Sequence, residues 1–129
     1  MPKQQSGERI KSNAEHVDIA PTILDLLNIN IPKWMEGESL TEAMNNNKMT
    51  KIPKYSMNYD PVTVSKQYPK GSIAVIKGDY KYIFQNDSNR AELYNLKNDH
   101  SEEVNIIKTE RRIADELKQL VAKKIDMMR

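Results

Sequence analysis

The strongest constraint on the fold is a change of hydrophobic period along the chain. Ser72 to Lys77 is a run rich in β-branched residues, and after it Tyr80, Tyr82 and Phe84 alternate with Lys81 and Ile83. A period of two puts the aromatic rings on one pleated face and Lys81 and Ile83 on the other, as in a half-buried strand. Gly78 and Asp79 separate the two runs, and glycine at the first central position suits a two-residue type II′ hairpin. Lys54 to Tyr59 and Ala91 to Leu96 read as two further strands, the first ended by Asp60 and Pro61 and the second preceded by a turn at Asn86 to Arg90. From Thr109 to the end the period becomes 3.6, with Ile113, Leu117, Leu120, Val121 and Met128 on one side. The expectation is an α+β fold: a small antiparallel sheet of about four strands with a C-terminal helix packed across one face. Val62 to Lys70 fits neither period, and Pro69 to Gly71 marks a turn.

The N-terminal part is organised differently. Ile19, Ile23, Leu26 and Leu27 fall on one face at helical spacing, and Leu24 widens the stripe, which predicts a largely buried helix. Asp18 is placed to cap it, with Pro21 in the first turn, where a missing N–H costs nothing. Asn28 can close it in the left-handed conformation, and Pro32 favours an extended exit through Ile31. Gly37 supplies a turn. Ser39 to Met44 reads as a second short helix capped by Ser39, with Glu42 three residues on. Residues 1–14 are polar and expected to be extended. The polar run Asn45 to Lys51 is the best internal boundary, giving a helical segment over 1–50 and a sheet-plus-helix subdomain over 51–129.

Composition removes several functions. The chain lacks cysteine, which excludes disulfides, Cys-ligated zinc and a cysteine nucleophile, and leaves the compartment open. A net charge of +2, with acids and bases interspersed, points neither to nucleic acid nor to an anionic membrane. No stretch is long and apolar enough for a transmembrane helix, and the first residues lack a signal-peptide core. His16 and His100, the only histidines, have no partners at ligand or catalytic spacing and read as structural or solvated. Tyr80, Tyr82 and Phe84 could stack bases, but without a basic surface they read as core. No catalytic, cofactor-binding or metal residue is assigned.

Three blocks, in order, resemble the C-terminal region of the sulfatases of the alkaline-phosphatase superfamily. The first is His16-Val-Asp-Ile-Ala-Pro-Thr-Ile-Leu-Asp-Leu-Leu-Asn-Ile29, with Asn28 where the family usually has glycine. The second is Trp34-Met-Glu-Gly-Glu-Ser-Leu40. The third joins Gly78-Asp-Tyr-Lys-Tyr-Ile83 to Glu92-Leu-Tyr-Asn-Leu-Lys-Asn-Asp-His-Ser-Glu-Glu-Val-Asn105, with His100 in place of the usual proline. The resemblance covers nearly all of the chain from about Gly7 onward.

The resemblance implies a sulfuric ester hydrolase as parent. Such an enzyme uses a divalent metal, typically calcium, a formylglycine made from Cys or Ser, and basic residues around the sulfate. None of the motifs that carry this chemistry is present here. There is no Ser-x-Pro-x-Arg, no adjacent Asp pair, and Asp99-His100-Ser101 follows the terminal block rather than forming a metal motif. The expectation is a portion without chemistry of its own, whose partner is the rest of the catalytic domain and whose parent is often periplasmic or secreted. Residues 1–50 would be the end of the parent's α/β domain. The resemblance further implies that the 19–28 helix packs on a large sheet not contained in these residues. The isolated chain is then expected to self-associate through that helix or to leave residues 1–50 mobile. Two alternatives stand beside this reading: an independent α+β interaction module, and the terminal part of a phosphoglycerol or phosphoethanolamine transferase.

Overall fold

The computed structural model describes residues 13–46, 52–59 and 70–128, arranged in two compact units divided after Thr50. The expectations for residues 1–12, for the turn at Asp60 and Pro61 and for most of Val62 to Lys70 fall outside the described residues.

The first unit opens with a 3-10 turn at His16–Asp18 that runs directly into helix α1, Ile19–Leu26. Helix α1 ends as the sequence predicts. Asn28 adopts φ 55°, its N–H donates to the Asp25 carbonyl at 3.0 Å, and the Ile29 N–H reaches back to the Leu24 carbonyl at 2.9 Å. Together these bonds satisfy the last carbonyls of the helix in the Schellman pattern, which asparagine permits because it tolerates positive φ. Helix α2, Thr41–Asn46, starts two residues later than the sequence suggests. The Ser39 hydroxyl accepts the Thr41 N–H at 3.2 Å, so the serine caps from just outside the helix.

The second unit is a four-stranded antiparallel meander in the order β1 (Lys54–Tyr59), β2 (Gly71–Lys77), β3 (Tyr80–Gln85) and β4 (Arg90–Asn95). Lys77 pairs with Tyr80 across the Gly78-Asp79 turn, and Gly78 has φ 59° as a type II′ turn requires. Register follows from the pleat. Val75 lies opposite Tyr82, and Tyr82 opposite Leu93, so one face carries a continuous apolar row.

Helix α3, Arg111–Met127, covers that row. Ile73, Val75, Tyr82 and Leu93 from the sheet form one core with Ala114, Leu117 and Val121 from α3, and Tyr80 and Phe84 pack at its margin. Burying each large aliphatic chain here stabilises the unit by roughly 1.5–3 kcal/mol, which makes this core its main source of stability. Ala114 is part of the contact although the sequence reading passed over it; its small side chain lets the helix approach the sheet. Two expectations need correction. Thr109 belongs to the preceding turn, its N–H bonded to the Ile106 carbonyl at 3.1 Å, so the helix begins later. Met128 lies beyond the helix end at 50% exposure rather than on its buried side.

Candidate functional site

Helix α1 is packed inside out. Asp18, Thr22 and Asp25 stand at i, i+4 and i+7, one polar stripe along its side. That stripe, not the apolar one, faces the rest of the first unit. Asp18 is fully buried, and its carboxylate accepts the Glu15 N–H at 2.8 Å and the Glu38 N–H at 2.9 Å. Thr22 donates its hydroxyl proton to the Asp18 carbonyl at 2.6 Å and accepts the Leu40 N–H at 3.0 Å. Asp25 accepts from the Ser39 hydroxyl at 2.5 Å and from the Thr41 hydroxyl. These two hydroxyls, Ser39 foremost, hold the Asp25 carboxyl below its ordinary value of 3.8.

Asp18 stands at the N-cap position that the sequence suggests, but with helical backbone angles and no side-chain cap bond to α1; its carboxylate instead closes a capping box on the preceding 3-10 turn through the Glu15 N–H and ties the start of α1 to the loop at Gly37–Leu40. Gly37 is required there for space. A Cβ built on it would lie 1.9 Å from the Val17 carbonyl oxygen and 2.9 Å from the Asp18 nitrogen.

The apolar stripe points outward. Ile19, Ile23, Leu26 and Leu27 are between 42% and 62% exposed, which corrects the expectation of a largely buried helix. Beside it, Val17, Ala20, Pro21, Trp34, Met35, Glu36 and Gly37 line a depression of about 380 Å³, with Trp34 77% exposed.

The terminal block Glu92 to Asn105 proves to be a set of side-chain-to-backbone clasps. Asn95 Oδ1 accepts the Lys97 and Asn98 N–H groups at 3.1 and 3.3 Å. The Asp99 carboxylate accepts the Glu103 and Val104 N–H groups at 3.0 and 2.9 Å. These bonds, that from Val104 first, pull the Asp99 carboxyl below its ordinary 3.8. Asn105 Oδ1 then accepts the Leu93 and Ile107 N–H groups, both at 3.1 Å, while the Ile106 N–H bonds the Leu93 carbonyl at 2.8 Å. The outer edge of β4 is thereby closed at Leu93. Lys81 clamps Glu102, itself at φ 57°, with 2.7 and 2.8 Å contacts to its two oxygens.

His16 and His100 are both exposed and lie in different units. Among the described residues no three His, Cys, Asp or Glu side chains converge as a metal site. The Asp18, Asp25 and Asp99 carboxylates are already engaged by backbone N–H groups and hydroxyls. Such a donor set does not fit a divalent cation, which needs several free oxygen ligands. No helix among the described residues is long and apolar enough to cross a membrane.

Comparison with known proteins agrees with this layout. The family model for "N-sulphoglucosamine sulphohydrolase, C-terminal" matches residues 1–129. The structure of BT1596, a 2-O GAG sulfatase, superimposes with a TM-score of 0.69 and 26% identity, over 86% of this chain and 24% of that one. BT4656, solved with its substrate D-glucosamine-2-N,6-O-disulfate, superimposes with a TM-score of 0.66 and 26% identity over the same shares. The chain thus spans about a quarter of the length of these structures. A 2,3-bisphosphoglycerate-independent phosphoglycerate mutase from Antithamnion sp. is 53% identical over 38 residues, 30% of this chain and 8% of the mutase. So short a match carries no statement about activity.

Proposed function

The chain belongs to the family of N-sulphoglucosamine sulphohydrolase C-terminal regions, and from that premise we propose that it is the non-catalytic C-terminal portion of a sulfatase-like hydrolase. Its part is structural. The nucleophile, the divalent metal and the sulfate-binding residues belong to the remainder of the enzyme, and this chain alone does not turn over sulfate esters. The carrying observation is the engagement of Asp18, Asp25 and Asp99. Each sits in a motif that the sequence marks, and each spends its oxygens inside the chain: Asp18 and Asp99 on backbone N–H groups, Asp25 on the Ser39 and Thr41 hydroxyls. The sequence adds that cysteine and a Ser-x-Pro-x-Arg run are both lacking.

The ester proposed for the parent is a sulfate on a sugar, supported by the 2-O GAG sulfatase and by the disulfated glucosamine bound in BT4656. The partner proposed is the catalytic α/β body, which the outward apolar face of α1 is suited to meet. The test is a turnover assay of the purified chain on an aryl sulfate with added calcium. The expected rate equals the buffer blank. Metal-dependent hydrolysis that co-elutes with the chain and survives repurification refutes the proposal.

A further inference from the structure

We propose that residues 97–105 are a strap latched to the sheet by the Lys81–Glu102 ion pair, and that this latch guards the outer edge of β4. The role is independent of the chemistry that the rest of the enzyme carries.

The strap has little apolar anchorage. Of residues 97–105 only Asp99 and Glu102 are half-buried, and the rest are exposed. Val104, the one aliphatic side chain, is 61% exposed, so hydrophobic burial does not hold the segment down. Asp99 folds the strap onto itself through the Glu103 and Val104 N–H groups. The tie to the sheet comes from Lys81, whose ammonium donates to both Glu102 oxygens at 2.7 and 2.8 Å. Both partners are half-buried, so salt screens the pair less than it would a fully exposed one.

Register shows where the latch sits. Tyr82 belongs to the core under α3, so Lys81 beside it points to the other face of the sheet, across from Tyr94. Tyr94 is buried there. Burial first, then the Glu92 carboxylate, then those of Glu102 and Asp99 raise its phenol above the ordinary 10.0, as expected for a ring beneath the strap. Glu102 itself holds φ 57°, a conformation that a residue with a side chain keeps only when its surroundings fix it. Freed from Lys81, the strap loses its tie and relaxes that backbone.

The strap ends on the edge that it guards. β4 pairs with β3 on one side, and on the other its Leu93 N–H and carbonyl are taken by Asn105 Oδ1 at 3.1 Å and the Ile106 N–H at 2.8 Å. Those two groups are what a further strand would otherwise recruit. Latch and edge should therefore open together.

Native-state amide exchange by NMR on the full chain tests this. In Lys81→Met the Glu103, Val104 and Leu93 amides are expected to exchange about tenfold faster, all by a similar factor. Glu102→Gln is expected to give about threefold, because its amide oxygen still accepts from Lys81. Raising sodium chloride from about 0.05 to about 0.5 M should accelerate the same three amides in wild type and leave Lys81→Met unchanged. Lys81→Glu combined with Glu102→Lys should restore protection to within about threefold of wild type, which a loss of packing at Lys81 would not allow. The Val75, Tyr82 and Leu117 amides report on the fold and should stay at their wild-type rates. Glu103 and Val104 amides that change by less than about twofold in both single variants overturn the proposal, since the Asp99 clasp then holds the strap alone. Acceleration of those two without Leu93 also overturns it, because the latch then does not guard the edge.

Discussion

Replacing Asp18 with alanine tests the inside-out reading of the first unit most directly. The side chain is at 0% exposure and holds two backbone N–H groups twenty-three residues apart in sequence, those of Glu15 and Glu38, at 2.8 and 2.9 Å. Hydrogen bonds to a charged acceptor are worth about 1.5–3 kcal/mol each, and the donors left behind keep their desolvation cost. Even with strong non-additivity the loss should be about 3 kcal/mol, which corresponds to on the order of 100-fold more frequent local opening. The assay is native-state amide exchange by NMR. The Glu15, Glu38 and Leu40 amides should exchange on the order of 100-fold faster in Asp18→Ala, because all three depend on the clamp. Amides of β2, β3 and α3 should be unchanged, since their core includes no residue of the first unit. Asp18→Asn keeps one acceptor oxygen but sets an NH₂ group against the other N–H, so it should fall between the two. If Asp18→Ala changes exchange at Glu38 by less than about threefold, the carboxylate is not what joins helix to loop and the clamp reasoning fails.

Two further predictions concern the second unit. Leu117→Ala should cost about 2–5 kcal/mol, because Leu117 is 2% exposed and flanked by Ile73, Leu93 and Val121 in one core; a thermal melt of the sheet unchanged within a degree or two would contradict this. Asp99 has a folded pKa below its ordinary 3.8, so its contribution is fully present above that value and is lost as pH falls through the lower folded pKa; exchange at Val104 should accelerate only in that acidic window, and Asp99→Asn should abolish the step.

The sheet was legible because its signals are local. Alternation at Tyr80, Tyr82 and Phe84, a glycine at the positive-φ position of the β2–β3 turn, and a 3.6 period over α3 each point to the same arrangement, and the structure has it. The same holds for the end of α1 at Asn28. The clasped segment after β4 was not foreseen as structure, since it has no period. Its signal lay in the spacing of Asn95, Asp99 and Asn105, residues whose short polar side chains compete for backbone donors.

Helix α1 shows a limit of another kind. Periodicity establishes that a helix has two faces, but which one turns inward depends on what the rest of the chain can offer. Here the neighbouring residues Glu38, Ser39, Leu40 and Thr41 present backbone N–H and hydroxyl groups to the helix. Burying Ile19, Ile23, Leu26 and Leu27 against them would strand those groups without partners, at about 1–3 kcal/mol each. Turning Asp18, Thr22 and Asp25 inward satisfies them all and leaves the aliphatic chains facing out. The stripe Asp18, Thr22, Asp25 could have announced this, because three hydrogen-bonding residues at i, i+4 and i+7 define a face as firmly as three leucines do. Glycine at position 37 then follows from the same choice. The loop must come within van der Waals contact of the Val17 backbone for Asp18 to reach Glu38, and any side chain there would hold it away. The clamp, the close approach and the outward apolar face are thus one structural decision, and a change at any of the three should be felt at the others.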